Sequence, residues 1–372
     1  MDVTPQGTIL VAGDTQSPDL PVTPGAFDTT PALAPAFVAV LDPTLSSVLH
    51  CTALGGSGGD TPCGVAFDAF GDVIVAGSSL SFDFPTTPGS FKPGYSGGRD
   101  GFVARLDGTL STLAFGTYLG KGSSEFLRGL TVDAGGRAIV CGSTSSSNFP
   151  VTPNALDPSF SAGDAFLTQF SRDGSTLLYS SFIGGSSWDD GYSVAAGPGG
   201  EVYVAGETHS PDFVATPGAF DTTFDTSSFN TEGFAMGFDL CRGAISHYGQ
   251  GCLGSGAIVP TLSVSGCPSS GEALTLQVSG AYGGAPLLLA LGGGQSAVPI
   301  VGSCAAQIFP WNGLAVTAAL TGQGAGNGSI EWTAALPVPA PAGIVTLQAF
   351  IGDAGALDGV AATAAVAINL VD

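Results

Sequence analysis

The sequence predicts an all-β fold: four similar sheets stacked side by side, then a second β domain. Three observations predict it. A segment opening with Val-Ala-Gly, or Val-Cys-Gly in the third copy, is written four times, at 11–28, 75–92, 140–157 and 204–221, with spacings of 64, 65 and 64 residues. The apolar runs inside each unit are four to seven residues long, rich in Val, Ile, Phe and Tyr, and bounded by turn residues. Helix-length windows are broken almost everywhere, since 58 Gly and 25 Pro stand among 372 residues. A fixed period of this length marks stacked supersecondary units. Short β-branched and aromatic runs between Gly, Pro, Asp and Ser read as strands.

Each unit holds four such runs. In the second copy they are Val65–Asp68, Val73–Gly77, Phe102–Asp107 and Leu113–Leu119. The first run of the first copy is Met1–Thr4, which aligns with Val65–Asp68. The second run recurs at Gly7–Gly13, Gly136–Gly142 and Gly200–Gly206, and the third at Phe37–Asp42, Phe166–Ser171 and Phe234–Asp239. Ala244–Gly249 is read as the fourth strand of the last copy. The third run alternates, with Phe102, Ala104 and Leu106 facing one way and Val103, Arg105 and Asp107 the other. The second run does not: Val73–Ala76, Ala138–Cys141 and Val202–Ala205 are apolar on both sides, which predicts cover on both faces. Four-stranded sheets stacked around an axis give that cover, so each unit is expected to be one blade of a β-propeller. Four units make a four-bladed ring or part of a larger one, because stacking alone does not fix ring size.

Several blocks recur in order. In the second copy they are Leu-Gly-Gly-Ser (54–57), Gly-Val-Ala-Phe-Asp (64–68), Phe-Pro-Thr-Thr-Pro-Gly-Ser-Phe (84–91), Asp-Gly-Phe-Val-Ala-Arg-Leu-Asp (100–107) and Thr-Tyr-Leu-Gly (117–120). Together they resemble the bacterial β-propeller repeat called SBBP, from residue 1 to about 250. The resemblance implies a propeller, typically seven-bladed, in exported bacterial proteins, with no agreed catalytic residues. The chain departs from it in showing four copies.

After Tyr248 the repeat stops, so the expected domains are 1–249 and 250–372. Eight apolar runs follow: Thr261–Ser265, Ala273–Ser279, Leu287–Leu291, Ala305–Phe309, Leu314–Leu320, Ser329–Leu336, Ile344–Ile351 and Val360–Leu370. They predict a β-sandwich. The last run is Ala-rich and helix-prone by propensity, but its length and neighbours favour a strand. The Tyr-Gly-Gln-Gly-Cys-Leu-Gly-Ser-Gly opening (248–256) resembles Gly-rich C-terminal modules of secreted bacterial proteins.

The net charge of −22 would repel a phosphate backbone, which argues against nucleic-acid binding. No run reaches about 18 apolar residues, so no membrane span is expected. Met1 leads into a strand without a basic or apolar leader, and an extracellular or cell-surface location follows only from the resemblance and the cysteines. Cys141 takes the place of Ala12, Ala76 and Ala205 and reads as a small buried residue. Cys51 and Cys63 flank one inter-strand loop and are a candidate pair, as are Cys252 and Cys304 in the C-terminal region.

No nucleophile elbow, P-loop, EF-hand or zinc motif is present, and His50, His209 and His247 stand apart in the sequence. Asp60, Glu125 and Asp189 precede the first strand of successive units at the repeat spacing. Carboxylates ringing one mouth of a channel would suit Ca²⁺; the alternative is that each caps its own turn. A second set, Asp100, Asp164 and Glu232, precedes the third strand, where the first copy has Pro35. In the Thr-Pro-Gly-Ala-Phe-Asp box, Phe27, Phe91 and Phe220 are expected to anchor the long loop, with Leu156 in the third copy. Departures from the repeat mark candidate binding loops at Trp188 and Asp190, and at Phe224 and Phe229. The expectation is a non-catalytic scaffold whose loops bind a protein or a glycan. Alternatives are a propeller lyase or glycosidase with a carboxylate site at the channel mouth, and a structural surface or adhesion component.

Overall fold

A computed structural model describes residues 1–17, 19–30, 34–197, 200–225, 231–240, 244–248, 255–266, 273–292, 295–301, 304–308, 311–335, 343–354, 356 and 360–370. The chain forms two compact units, Met1–Gly197 with Glu201–Leu240, and Pro198–Gly200 with Cys241–Asp372.

Among the described residues the first unit carries fifteen strands: β1 (Asp2–Val3), β2 (Ile9–Asp14), β3 (Ala36–Leu41), β4 (Val48–Leu54), β5 (Asp60–Phe67), β6 (Val73–Ser79), β7 (Asp100–Leu106), β8 (Leu113–Leu119), β9 (Glu125–Val132), β10 (Ala138–Thr144), β11 (Asp164–Phe170), β12 (Leu177–Ile183), β13 (Asp189–Ala196), β14 (Glu201–Thr208) and β15 (Glu232–Asp239). They form three antiparallel meanders of four strands and one of three, β13-β14-β15, one sheet per sequence repeat. None closes into a barrel. The first strand of each later copy starts five residues before its apolar run, because the polar stretch from Asp60 pairs with Ser79 and Ser78.

Consecutive sheets pack face to face. Leu10, Val38 and Val40 of the first sheet meet Val73, Val75, Phe102 and Ala104 of the second in one core. Ile74, Ala76 and Val103, on the opposite face of the second, meet Val140, Phe166 and Phe182 of the third. Ile139, Cys141 and Leu167 then meet Val202, Val204 and Phe234 of the fourth. Strands β6, β7, β10 and β11 are accordingly buried at every residue; the two-sided apolar pattern predicts this for β6 and β10, whereas β7, whose alternation is read as two distinct faces, is covered on both as well. The fourth sheet departs from that expectation: β14 alternates, and Tyr203 and Ala205 are exposed.

The Gly of Val-Ala-Gly has a backbone cause. A bulge in the first strand pushes its carbonyl toward the second. A Cβ on Gly142 would lie 1.9 Å from the Phe126 carbonyl oxygen, and one on Gly77 2.3 Å from that of Thr61.

At the short-turn end, a buried ion pair joins the second and third sheets. Asp68 holds Arg105, whose second guanidinium nitrogen donates to the Gly136 carbonyl of the third sheet. Arg172 of the third sheet reaches back to Asp68 at 3.7 Å and stacks 4.4 Å from the Phe70 ring.

The second unit holds β16 (Ala244–Tyr248), β17 (Thr261–Gly266), β18 (Ala273–Gly283), β19 (Pro286–Gly292), β20 (Gln295–Val301), β21 (Cys304–Ile308), β22 (Trp311–Ala319), β23 (Gly324–Ala335), β24 (Gly343–Gly352), β25 (Val360–Ala362) and β26 (Ala365–Leu370). One sheet runs β16-β26-β24-β19-β22, with β25 on β24; a second runs β17-β18-β23, and β20 pairs with β21. Leu262, Leu274 and Val278 of the second sheet share a core with Leu289, Leu347 and Ile351 of the first. The Ala-rich run at 360–370 is strand, broken into β25 and β26, and β20 is a strand the apolar pattern did not mark.

One expectation is corrected here. Residues 244–248 do not complete the fourth repeat sheet; Ala244 pairs with Asn369 and Tyr248 with Ala365. The division between units correspondingly falls at Leu240 rather than at 249.

Asp68→Ala should destabilise the chain by about 3 kcal/mol, because it removes the buried partner of Arg105 and leaves that guanidinium only the longer, partly exposed contact to Asp72 at 3.4 Å. Thermal and urea unfolding measure this, and a loss below about 1 kcal/mol contradicts the bridging role.

Candidate functional site

Two kinds of connection lie at the long-loop end of the sheets: the links between successive sheets, and the loops between second and third strands. The acids singled out by the repeat all sit there, and all but Glu232 are buried. Asp60 is 1% exposed, and Glu125 and Asp189 are 0% exposed. Asp60 accepts hydrogen bonds from Ser79 Oγ, from Ser81 Oγ at 2.7 Å and from the Gly56 N–H at 2.9 Å. Glu125 accepts from Thr144 Oγ1 at 3.0 Å and from Ser146 Oγ. Asp189 accepts from Ser210 Oγ at 2.9 Å and from the Gly185 N–H at 2.9 Å. Each carboxyl thus ties the incoming link to the end of the second strand of its own sheet. Burial pushes all three carboxyls up, against the pull of these donors.

The link is fastened a second time in two copies. Asp83 Oδ1 accepts from the Ser57 N–H at 2.7 Å, and Asp212 Oδ1 from the Ser186 N–H at 2.8 Å. These hydrogen bonds hold both acids below the usual carboxylate range. Among the described residues, no three His, Cys, Asp or Glu side chains gather in a group suited to a metal ion.

The second acidic set is treated unevenly. Asp100 receives Lys92 Nζ at 2.7 Å and the Ser96 N–H at 2.8 Å. The third copy has Asp157 where the second has Lys92. Asp164, 1% exposed, accepts from the Ser161 N–H at 2.8 Å. A Cβ on Gly184 would lie 2.6 Å from Asp164 Oδ1 and 2.6 Å from Asp189 Oδ2, so the glycine lets two buried carboxyls close in. Burial, and then the charges of Asp189 and Asp157, raise the Asp164 carboxyl to about 6. Both carboxyls are sealed from solvent. Glu232 Oε1 accepts from the Asp225 N–H of its own loop.

The candidate loop residues separate. Trp188 is 36% exposed and rests on Gly163, where a Cβ would meet its ring at 2.2 Å. Asp190 is not a loop residue: it lies 4% exposed in β13, 3.2 Å from Arg128 Nη2 of the third sheet. Phe224 is half-buried, and Phe229 lies outside the described residues.

Cys51 and Cys63 do not pair; both are free, as is the buried Cys141. Burial pushes the Cys63 and Cys141 thiols up to about 12, which keeps them protonated and unreactive at neutral pH. Cys252 lies outside the described residues, and Cys304 is described only as backbone in β21. His209 is on a loop with Nδ1 3.1 Å from Thr231 Oγ1, His50 is on β4, and His247 is placed on β16 by its backbone.

Sequence patterns missed two features. At the long-loop end Leu80 (47%), Phe82 (73%) and Val214 (70%) are exposed, as Trp188 is in part. Their only signal is that other copies carry Gln16 in place of Leu80, Ser147 in place of Phe82, and Pro21, Pro85 and Pro150 in place of Val214, so the positions vary around fixed loop geometry. At the short-turn end, a recess of about 770 Å³ between the first two sheets is lined by Asp2, Thr4, Gln6, His50 and Phe67. Among the described residues, no helix is long and apolar enough to cross a membrane.

No family model and no curated protein matches the chain.

Two outcomes test this geometry. Asp60→Ala leaves buried hydroxyls and an N–H without their acceptor and should cost about 2–3 kcal/mol, with calcium making no difference to the melting temperature of either protein. A loss that appears only when calcium is present contradicts it. Asp164 binds its proton more tightly when folded than when unfolded. Its ionisation therefore lowers stability as pH climbs from about 4 to about 6, and the loss persists above that window. Asp164→Asn should raise the melting temperature at pH 7.5 and leave it unchanged near pH 4 (both pH values approximate test conditions); an equal effect at both contradicts the assignment.

Proposed function

We propose that the first unit is an arc of β-propeller blades serving as a non-catalytic binding scaffold, and that the second unit is a β-sandwich. A protein or glycan ligand is taken at the long-loop end. One observation carries this reading. The repeated acids at that end are consumed in holding the links, while Leu80, Phe82, Trp188 and Val214 are offered to solvent on loops so fixed. Exposed apolar groups rimmed by polar residues on a rigid frame mark interaction surfaces. Aromatic side chains contribute most of the energy at such surfaces.

The resemblance of the motif blocks to the SBBP repeat supports the same reading, and with it an extracellular or cell-surface location. The acidic surface favours a partner that is neutral or basic at the contact.

The test is a glycan and protein array probed with the intact chain, followed by Phe82→Ala and Trp188→Ala. Each substitution should weaken the captured ligand at least about tenfold, and Phe82→Ala should do so without shifting the melting temperature, since Phe82 is 73% exposed. A ligand insensitive to both substitutions overturns the placement of the site.

A further inference from the structure

A contact made at the first two junctions is left with one half at each end of the arc; at the third junction Leu156, expected to anchor its loop in the same way, is instead 61% exposed. Phe27 of the first sheet's long loop sends its N–H to the Leu110 carbonyl of the second sheet at 2.8 Å, and its ring packs on the core containing Leu110. Phe91 of the second sheet does the same with the third: its N–H reaches the Gly174 carbonyl at 2.8 Å, and its ring meets Phe170 edge-on at 6.2 Å. The receiving residue sits in the turn between third and fourth strands with positive φ, 56° at Leu110 and 69° at Gly174.

Phe220 is the fourth copy's donor of this contact, and it is fully exposed, contrary to the anchoring role the repeat predicts. Leu45 is the first copy's receiver. It has φ 58° and the same N–H bond back to the turn, yet is 66% exposed where Leu110 is 0%.

The sheet faces repeat the pattern. Tyr203, Ala205 and Ala235 hold the register of Ile74, Ala76 and Val103, which are fully buried against the next sheet. Tyr203 is 56% exposed, and Ala205 and Ala235 are exposed with it. At the other end Ile9, Val11, Phe37 and Leu41 are only half-buried, whereas their counterparts Val73, Val75, Phe102 and Leu106 are 0% exposed beneath the preceding sheet.

We propose that a second copy of this chain covers both ends. The fourth sheet of each copy packs on the first sheet of the other, with Phe220 seated on the Leu45 turn. Among all partners, another copy alone is certain to carry both complementary halves. The contact is heterologous, and two copies close it into a ring of eight sheets, inside the range that propellers adopt. This rests on reading the sheets as propeller blades, and not on what the loops bind.

The test is molar mass in solution by light scattering across dilution, with salt to screen the −22 charge on each copy. Twice 36.6 kDa is expected for the wild type. Leu45→Asp and Phe220→Asp, each at an exposed site, should separately raise the dissociation constant at least about 30-fold. Neither should change circular dichroism or loop-ligand binding. An equimolar mixture of the two variants should regain a dimer, because one intact Phe220–Leu45 contact remains between unlike copies. A wild type that stays at single-chain mass up to about 100 µM, or a dimer that survives both substitutions, overturns the proposal. Loss of loop binding with the dimer intact would instead fault the proposed function.

Discussion

The first unit depends on one constraint: a strand that is apolar on both faces must be covered on both. Val73–Ser79 and Ala138–Thr144 have no polar side to turn to water. Their sheets are stable only between two others. At about 25 cal/mol per Å² of apolar surface, each such interface outweighs any single hydrogen bond in the unit. The stack is thus a chain of mutual dependence. The second and third sheets have neighbours on both sides, and the first and fourth on one.

Polar groups follow from that arrangement. Stacked sheets crowd their links at one end, where backbone N–H groups leave the ladder and need partners. Serine and threonine at the end of the second strand meet a carboxyl at the start of the first, and three copies solve the problem alike. The solution is costly for the carboxyls, which lose water and keep their protons more tightly. The third-to-fourth junction carries the greatest such load, with Asp157 where the preceding junction has the ammonium of Lys92.

The sequence made the stack legible because period and strand pattern are both local. Repeat spacing named the sheets, and the two-sided apolar runs named the central strands. What it could not show was direction and partner. Asp60, Glu125 and Asp189 recur at a fixed spacing whether they line a channel or cap a turn, and only the hydroxyls around them decide. Asp190 looked like a loop residue beside Trp188, but the strand begins one residue before it. Ala244–Tyr248 has the composition of a fourth strand and pairs elsewhere, since strand propensity does not name a neighbour. Phe220 shares its box with Phe27 and Phe91 yet lacks what they pack on, because the receiving turn belongs to the following sheet.

The ion pairs have a wider consequence. Of eight basic residues, Lys92, Arg105, Arg128, Arg137 and Arg172 each lie against an aspartate. Lys92, Arg105 and Arg137 are drawn into internal use, while Arg128 and Arg172 keep 46% and 39% of their side chains exposed, so the solvent boundary is predominantly anionic. Such a particle gathers a dense counter-ion cloud, stands off from other polyanions and approaches basic surfaces quickly at low salt. Its colloidal behaviour is set less by composition alone than by where the folded chain hides its positive charge.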